Sequence, residues 1–130
     1  MRNFQLLDTF KLDGQIVRLS QSDPDAGNAH VVMVREGERI AISVNIGPLE
    51  LAIRPHFEEM RRHIAALKPV PGLTSTRQVG SSQAYMGLGL SEENQLVMRP
   101  ILLTDATGHV GINLIVSKEA TEQLKNWLNG

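Results

Sequence analysis

The stretch HVVMVREGERIAISVNI, residues 30–46, decides the fold, because its second half carries an apolar residue at every other position. This series consists of Ile40, Ile42, Val44 and Ile46. A period of two is typical of a β-strand that buries one face. Gly37 lies between the two halves of the stretch, where a reverse turn is expected. We therefore interpret residues 30–46 as a β-hairpin.

Three further segments carry strand and turn signals. Residues 10–20, FKLDGQIVRLS, hold Asp13-Gly14 between apolar residues, and Asp-Gly suits a two-residue hairpin turn because both positions need positive φ. Residues 84–91, AYMGLGLS, alternate methionine and leucine with glycine. Residues 96–117, LVMRPILLTDATGHVGINLIVS, predict another hairpin with its turn at residues 105–108.

Two segments have the period of a helix instead. The first has apolar residues at steps of three and four, namely Leu49, Ile53, Phe57, Met60, Ile64 and Leu67. Pro55 lacks an amide hydrogen, so a regular helix is expected to begin near residues 54–55 and to end before KPVPG at residues 68–72. Residues 49–53 are then a separate turn or an irregular lead-in. The second helix follows Ser117, a good N-cap, and buries Ala120, Leu124, Trp127 and Leu128.

These elements predict an α+β fold, an antiparallel sheet of about six to seven strands with two helices packed on one face. Shifting the chain by about 70 residues superimposes the apolar series of residues 40–46 on that of residues 110–116. An internal βββα duplication, with halves at residues 4–68 and 73–130, is one interpretation. The other is recurrence of a favoured arrangement. Neither half has enough core to stand alone, so we predict a single domain over residues 1–130.

Composition excludes several functional classes. The chain of 130 residues has 13 Lys and Arg against 14 Asp and Glu, with one Trp, one Tyr and three Phe. A nucleic-acid partner normally goes with a basic excess or a platform of aromatic residues, so nucleic-acid binding is the least favoured function, although net charge leaves a local basic patch open. There is no cysteine, which removes disulfides, thiolate nucleophiles and Cys-ligated zinc. No apolar run is long enough for a secretory signal or a membrane span, so we expect a cytoplasmic protein.

The stretch PHFEEMRRH, residues 55–63, contains a candidate ligand-binding cluster. At helical spacing His56, Glu59 and His63 lie together beside the apolar stripe. Two imidazoles and a carboxylate could start acid–base chemistry or bind a metal, but the spacing matches no established metal motif. We predict no metal site, and the alternative is two half-covered histidines beside a solvated glutamate. His30 and His109 are interpreted as ordinary solvated side chains.

Two pairs of residues are further candidates. Gly87 and Gly89 leave a shallow trough on one face of a strand, which is either the floor of a small-ligand pocket or a place where another segment approaches closely. Arg35 and Arg39 bracket the turn in REGER and could bind an anion. The alternative for the arginines is a pair of solvated charges at a hairpin tip.

No catalytic constellation emerges, because the serines lie in loops or at strand ends and none lies in a nucleophile elbow. We therefore assign no catalytic residue and no cofactor. Several strands carry apolar residues on both faces, and two small helices can cover only one face. The sequence thus favours a small non-enzymatic binding module that binds another protein or forms a homodimer. The alternative is a small-ligand-binding protein or an enzyme with a pocket between the residue 54–67 helix and the sheet.

Overall fold

The computed structural model describes residues 3–130, which form eleven β-strands and two α-helices. The first half contains β1 (Gln5–Leu7), β2 (Thr9–Asp13), β3 (Ile16–Ser20), β4 (Ala29–Glu36), β5 (Arg39–Ile46), β6 (Leu49–Ile53) and α1 (Phe57–Ala65). The second half contains β7 (Arg77–Gly80), β8 (Ala84–Leu90), β9 (Leu96–Thr104), β10 (Gly108–Gly111), β11 (Leu114–Val116) and α2 (Lys118–Asn129). The α+β class predicted from the sequence is confirmed. Within the described residues, no helix is long and apolar enough to cross a membrane.

The strands form two sheets, where the sequence predicts one sheet of about six to seven strands. A five-stranded antiparallel sheet has the order β2-β3-β4-β5-β6. A six-stranded sheet has the order β1-β11-β9-β8-β7, with β10 also paired to β9. Its pairs are antiparallel except for β1 and β11, which run parallel. The extra strands include β1, which is three residues long and too short to show a clear alternation, and the second strand of the predicted hairpin over residues 96–117 is divided into β10 and β11.

Residues 49–53 form strand β6, and the expectation of a turn or an irregular lead-in is wrong. Leu51 lies opposite Val44, and Ile53 lies opposite Ile42, so both point into the core. Residues four apart share a side in a strand as well as in a helix, which is why Leu49 and Ile53 fit the helical series. Helix α1 itself begins at Phe57, two residues after Pro55.

Both sheets and both helices contribute to one apolar core. The inward residues of β4 and β5, such as Met33 and Ile42, are almost completely buried. Helix α1 contacts β5 of the five-stranded sheet, β7 and β8 of the six-stranded sheet, and α2. The rings of Phe57 and Trp127 meet edge to face, with centroids 6.1 Å apart, at the contact of the two helices.

Thr121 ties α2 to the six-stranded sheet. Its hydroxyl accepts a hydrogen bond from the Leu96 amide at 3.0 Å and donates one to the Val116 carbonyl at 3.2 Å. The side chain is buried, so neither backbone group has water as an alternative partner. The adjacent N-cap, Ser117, accepts from the amide of Ala120 at 3.2 Å. These bonds set both the start of α2 and its position on the sheet.

The variant Thr121→Val is expected to lower the free energy of unfolding by about 1–3 kcal/mol, because it leaves a buried amide and a buried carbonyl without partners. Urea denaturation measures this change. The matched variant Thr76→Val, at an exposed threonine, should change the free energy by less than about 0.5 kcal/mol. Equal effects of the two variants would contradict the role given to Thr121.

Candidate functional site

A groove of about 490 Å³ lies where β6 leads into α1. It is lined by Arg39, Ala52, Ile53, Arg54, Pro55, His56, Glu59, Gly80, Ser81 and Ala84. The groove brings together three of the residues proposed from the sequence, Arg39, His56 and Glu59. Its volume is in the range of small-ligand pockets, and its lining combines apolar and charged side chains.

Backbone hydrogen bonds hold the start of α1 against the β4–β5 hairpin. The Ile40 amide donates to the Pro55 carbonyl at 3.0 Å, and the Phe57 amide donates to the Glu38 carbonyl at 2.8 Å. His56 is the N-cap residue, with extended backbone and no capping bond from its side chain. Because the backbone on both sides is fixed, the exposed imidazole of His56 is held beside Arg39 at the groove.

The two arginines at this groove already have partners. Arg39 donates from Nη1 to the Arg54 carbonyl at 3.0 Å, while the guanidinium of Arg54 pairs with the carboxylate of Glu36. The Arg54–Glu36 pair is exposed, and such pairs contribute little to stability. Within residues 3–130 these are the side-chain partners of the two arginines, and their other guanidinium N–H groups can donate to an anion.

His63 lies apart from this groove and bonds to β7. Its Nδ1 is 3.0 Å from Nη1 of Arg77. A guanidinium has donors and no acceptor, so Nδ1 accepts and the ring proton lies on Nε2. Among residues 3–130, no three His, Asp or Glu side chains lie close enough to hold a metal ion. The structure thus places His56 and Glu59 in one groove and directs His63 elsewhere.

The trough at Gly87 and Gly89 is filled by the chain itself. A Cβ atom built on Gly89 would lie 1.9 Å from the carbonyl oxygen of Thr74, and one on Gly87 would lie 3.1 Å from Oγ of Ser75. Residues 70–76 cross this face of the sheet, held by the Thr76 amide, which donates to the Leu88 carbonyl at 2.8 Å. The two glycines therefore have the close approach that was one of their two interpretations, and neither lines the groove at His56.

Arg35 and Arg39 lie in different surroundings. The guanidinium carbon of Arg35 is 4.0 Å from the centre of the Phe57 ring, a cation–π contact, and Nε of Arg35 donates to the Gly37 carbonyl at 3.2 Å. Arg39 points to the groove at His56. The structure does not bring the two guanidinium groups together as one anion site.

Sequence reasoning missed one wall of the groove, which comes from the β7–β8 turn. Gly80, Ser81 and Ala84 line it, from a polar segment with little pattern. Gly80 has φ of 121°, and a Cβ atom there would lie 2.5 Å from the Ala84 carbonyl oxygen. The Gly-Ser-Ser sequence is a turn signal that could have located this turn, but nothing local indicates that it meets α1.

Comparison with known proteins adds no assignment, because the chain matches no protein-family model, no curated protein and no solved structure. The two-sheet α+β architecture and the groove at His56 are therefore interpreted from their own geometry.

The variant Gly89→Ala is expected to destabilise the protein by at least about 3 kcal/mol, because the new methyl group meets backbone that cannot give way easily. Chemical denaturation measures the loss. The control Gly111→Ala places its methyl group at an ordinary contact distance of 3.7 Å and should have a much smaller effect. A near-neutral Gly89→Ala would show that the trough is open rather than filled.

A zinc titration tests the metal interpretation of the histidines. We expect calorimetry of the wild type and of the His56→Ala/His63→Ala double variant to give the same heat, because His63 is bonded to Arg77 and no metal-binding cluster exists in residues 3–130. Saturable heat in the wild type that disappears in the double variant would overturn this expectation.

Proposed function

We propose that this protein is a non-enzymatic binding module that forms a homodimer through the outer face of its five-stranded sheet. The observation that carries the proposal is a mainly apolar area on that face, in register across four strands and partly exposed. We call it the outer patch, and its members are Ile16, Val32, Val34, Ala41, Ser43 and Ala52.

The pairing registers define the outer patch. Ile16 lies opposite Val34, which lies opposite Ala41. In the next row Val32 lies opposite Ser43, which lies opposite Ala52. These rows alternate with inward residues such as Met33 and Ile42, which are 0% and 1% exposed, whereas the patch residues remain partly exposed. β-branched side chains in register on an uncovered sheet face are a favourable surface for association.

The six-stranded sheet differs in this respect. Among its outward apolar residues, Val97, Ile101 and Ile115 are buried within the single chain, at 0%, 8% and 9% exposure, whereas Leu6 and Leu103 are 42% and 37% exposed. Apolar side chains are thus exposed on both sheets, and the outer patch is distinguished because its residues continue in register across four strands.

A second copy of this chain fits the outer patch because the charges at its edge are self-complementary. Glu36 and Arg54 lie side by side at the edge and pair within one chain. In a dimer whose two-fold axis passes through the patch, the edge with Glu36 and Arg54 in one copy would meet the same edge of the other copy. Each edge carries one negative and one positive charge, so the two edges are complementary. The central valines and alanines would then be removed from water at the middle of the interface.

The proposed location and the classes of partner that we do not expect are argued from the amino-acid composition. The cytoplasm is proposed as the location, supported by the lack of cysteine. We expect no cofactor, no nucleic-acid partner and no membrane partner, because the charges are balanced and few aromatic residues are present.

The variant Val34→Glu tests the homodimer. At roughly 50 μM, where an interface of micromolar affinity is largely formed, sedimentation velocity should show a dimer for the wild type and a monomer for Val34→Glu. Two carboxylates would be buried against each other at the centre of the interface, which association cannot compensate. Circular dichroism checks that the variant remains folded.

The control for this experiment is Gln78→Glu, which adds the same charge at an exposed position of β7, in the other sheet. It should sediment as the wild type does. A monomeric wild type at this concentration, or a dimer that survives both Val34→Glu and Val32→Lys, would overturn the proposal.

Small-ligand binding is a second candidate function, and the groove at His56 is the observation that favours it. Arg39 and His56 supply donors there, and Glu59 supplies an acceptor. Screening of small zwitterionic compounds by ¹H–¹⁵N NMR would test this candidate. Saturable shifts at Arg39, His56 and Ser81 would support it, whereas unchanged amides across that set would count against it.

A further inference from the structure

A second groove, of about 440 Å³, opens on the outer face of the five-stranded sheet beside the segment that joins β3 to β4. Its lining is rich in hydrogen-bond donors and consists of Lys11, Arg18, Ser20, Gln21, Asp23, Pro24, Ala26, Asn28, Ala29 and His30. We call it the basic groove. It shares no lining residue with the groove at His56.

The basic groove places two cations directly opposite each other. Lys11 of β2 pairs in register with Arg18 of β3, and both side chains are exposed on the same face of the sheet. Like charges at directly opposite positions destabilise an antiparallel pair. Within residues 3–130 neither Lys11 nor Arg18 forms an ion pair, and Asp23 is the carboxylate that lines the groove with them. A bound anion would remove this repulsion.

Neighbouring donors complete the groove. In the next outward-facing row, Ser20 lies opposite His30, so a hydroxyl and an imidazole are adjacent to the two cations. The side chain of Asn28 lies on the loop side. Lysine, arginine, hydroxyl and amide donors that converge on one concave surface are the groups that bind phosphate oxygens.

Hydrogen bonds fix the loop that forms the wall of the basic groove. The amide and the hydroxyl of Ser22 donate to the carboxylate of Asp8, at 2.8 and 2.6 Å, and these bonds hold the pKa of Asp8 below its ordinary value. The amide of Ala29 donates to Oε1 of Gln21 at 2.8 Å. The wall is therefore ordered before any ligand arrives, which lowers the entropic cost of binding.

We propose that the basic groove binds a small phosphorylated organic molecule. Two cations and the adjacent donors match a phosphate monoester, which carries close to two negative charges at neutral pH. The volume exceeds what one phosphate group fills, which leaves room for the organic part. Asp23 lowers the net positive charge of the groove and can accept a hydrogen bond from a hydroxyl, so a single phosphate that carries hydroxyl groups suits the groove better than a diphosphate.

Titration with ribose 5-phosphate, ribose and inorganic phosphate at constant ionic strength tests the proposal. Amide NMR shifts at Ser20, Gln21, Asn28 and His30 should saturate with ribose 5-phosphate at a dissociation constant on the order of 1 mM or below. Inorganic phosphate should bind more weakly at the same amides, and ribose should cause no shift. Saturation by inorganic phosphate with equal affinity would indicate a bare anion site and overturn the assignment to a phosphorylated organic molecule.

The Lys11→Gln/Arg18→Gln double variant should bind ribose 5-phosphate at least roughly tenfold more weakly, because both opposed charges are removed. Its free energy of unfolding should not fall, since the substitution also relieves repulsion. The control, Arg62→Gln/Lys118→Gln, removes two exposed cations from the helices and should bind as the wild type does. Loss of binding in both double variants would show a non-specific charge effect and contradict the proposal.

The same titration on Val34→Glu separates this inference from the homodimer. Arg18 lies opposite Val32, so the outer patch borders the basic groove and a dimer can cover it. Val34 does not line the groove, so the monomeric variant should bind ribose 5-phosphate. Binding with no dimer would refute the proposed function alone. A wild-type dimer together with no saturable shift for ribose 5-phosphate in monomeric Val34→Glu would refute the basic groove alone.

Discussion

The packing of α1 against both sheets is the interaction on which the rest of this structure depends. Phe57, Met60 and Ile64 are buried on one side of the helix, which contacts strands of each sheet and α2. A five-stranded meander cannot bury its inner face alone, and a short helix is marginal in water alone. Their shared core turns two incomplete layers into one folded unit and determines which sheet face stays outside.

The alternation in residues 30–46 is enough to predict β4 and β5, because a hairpin depends on neighbours in sequence. The same holds for α2, whose N-cap Ser117 and apolar spacing are local signals. No local signal in the sequence indicates that the strands divide into two sheets. β1 pairs with β11 across nearly the whole chain, and residues 49–53 satisfy the helical and the strand spacing equally well. Long-range pairing and tertiary burial decide these points, and a single sequence carries neither.

The candidate sites also combine residues that are close in sequence with residues that only long-range pairing brings together. His56 and Glu59 are close in sequence and share the groove at the start of α1. His63 is also close in sequence, yet Arg77 on another strand engages it. Lys11, Arg18 and His30 are ordinary surface residues in the sequence, and only the registers of β2, β3 and β4 place them together. Residue spacing in the sequence therefore identifies part of the groove at His56 and no part of the basic groove.

The parallel pairing of β1 with β11 has a consequence for the order of events during biosynthesis. β11 lies close to the end of the chain and β1 close to its start. While the ribosome is still making the middle of the chain, the five-stranded meander can assemble from contiguous segments, but β1 has no mate. Its exposed backbone then resembles an unprotected sheet edge, the kind of surface to which chaperones and neighbouring nascent chains attach. Completion of β11 ends this interval and gives one side of β1 a partner, while its other side remains an edge of the six-stranded sheet.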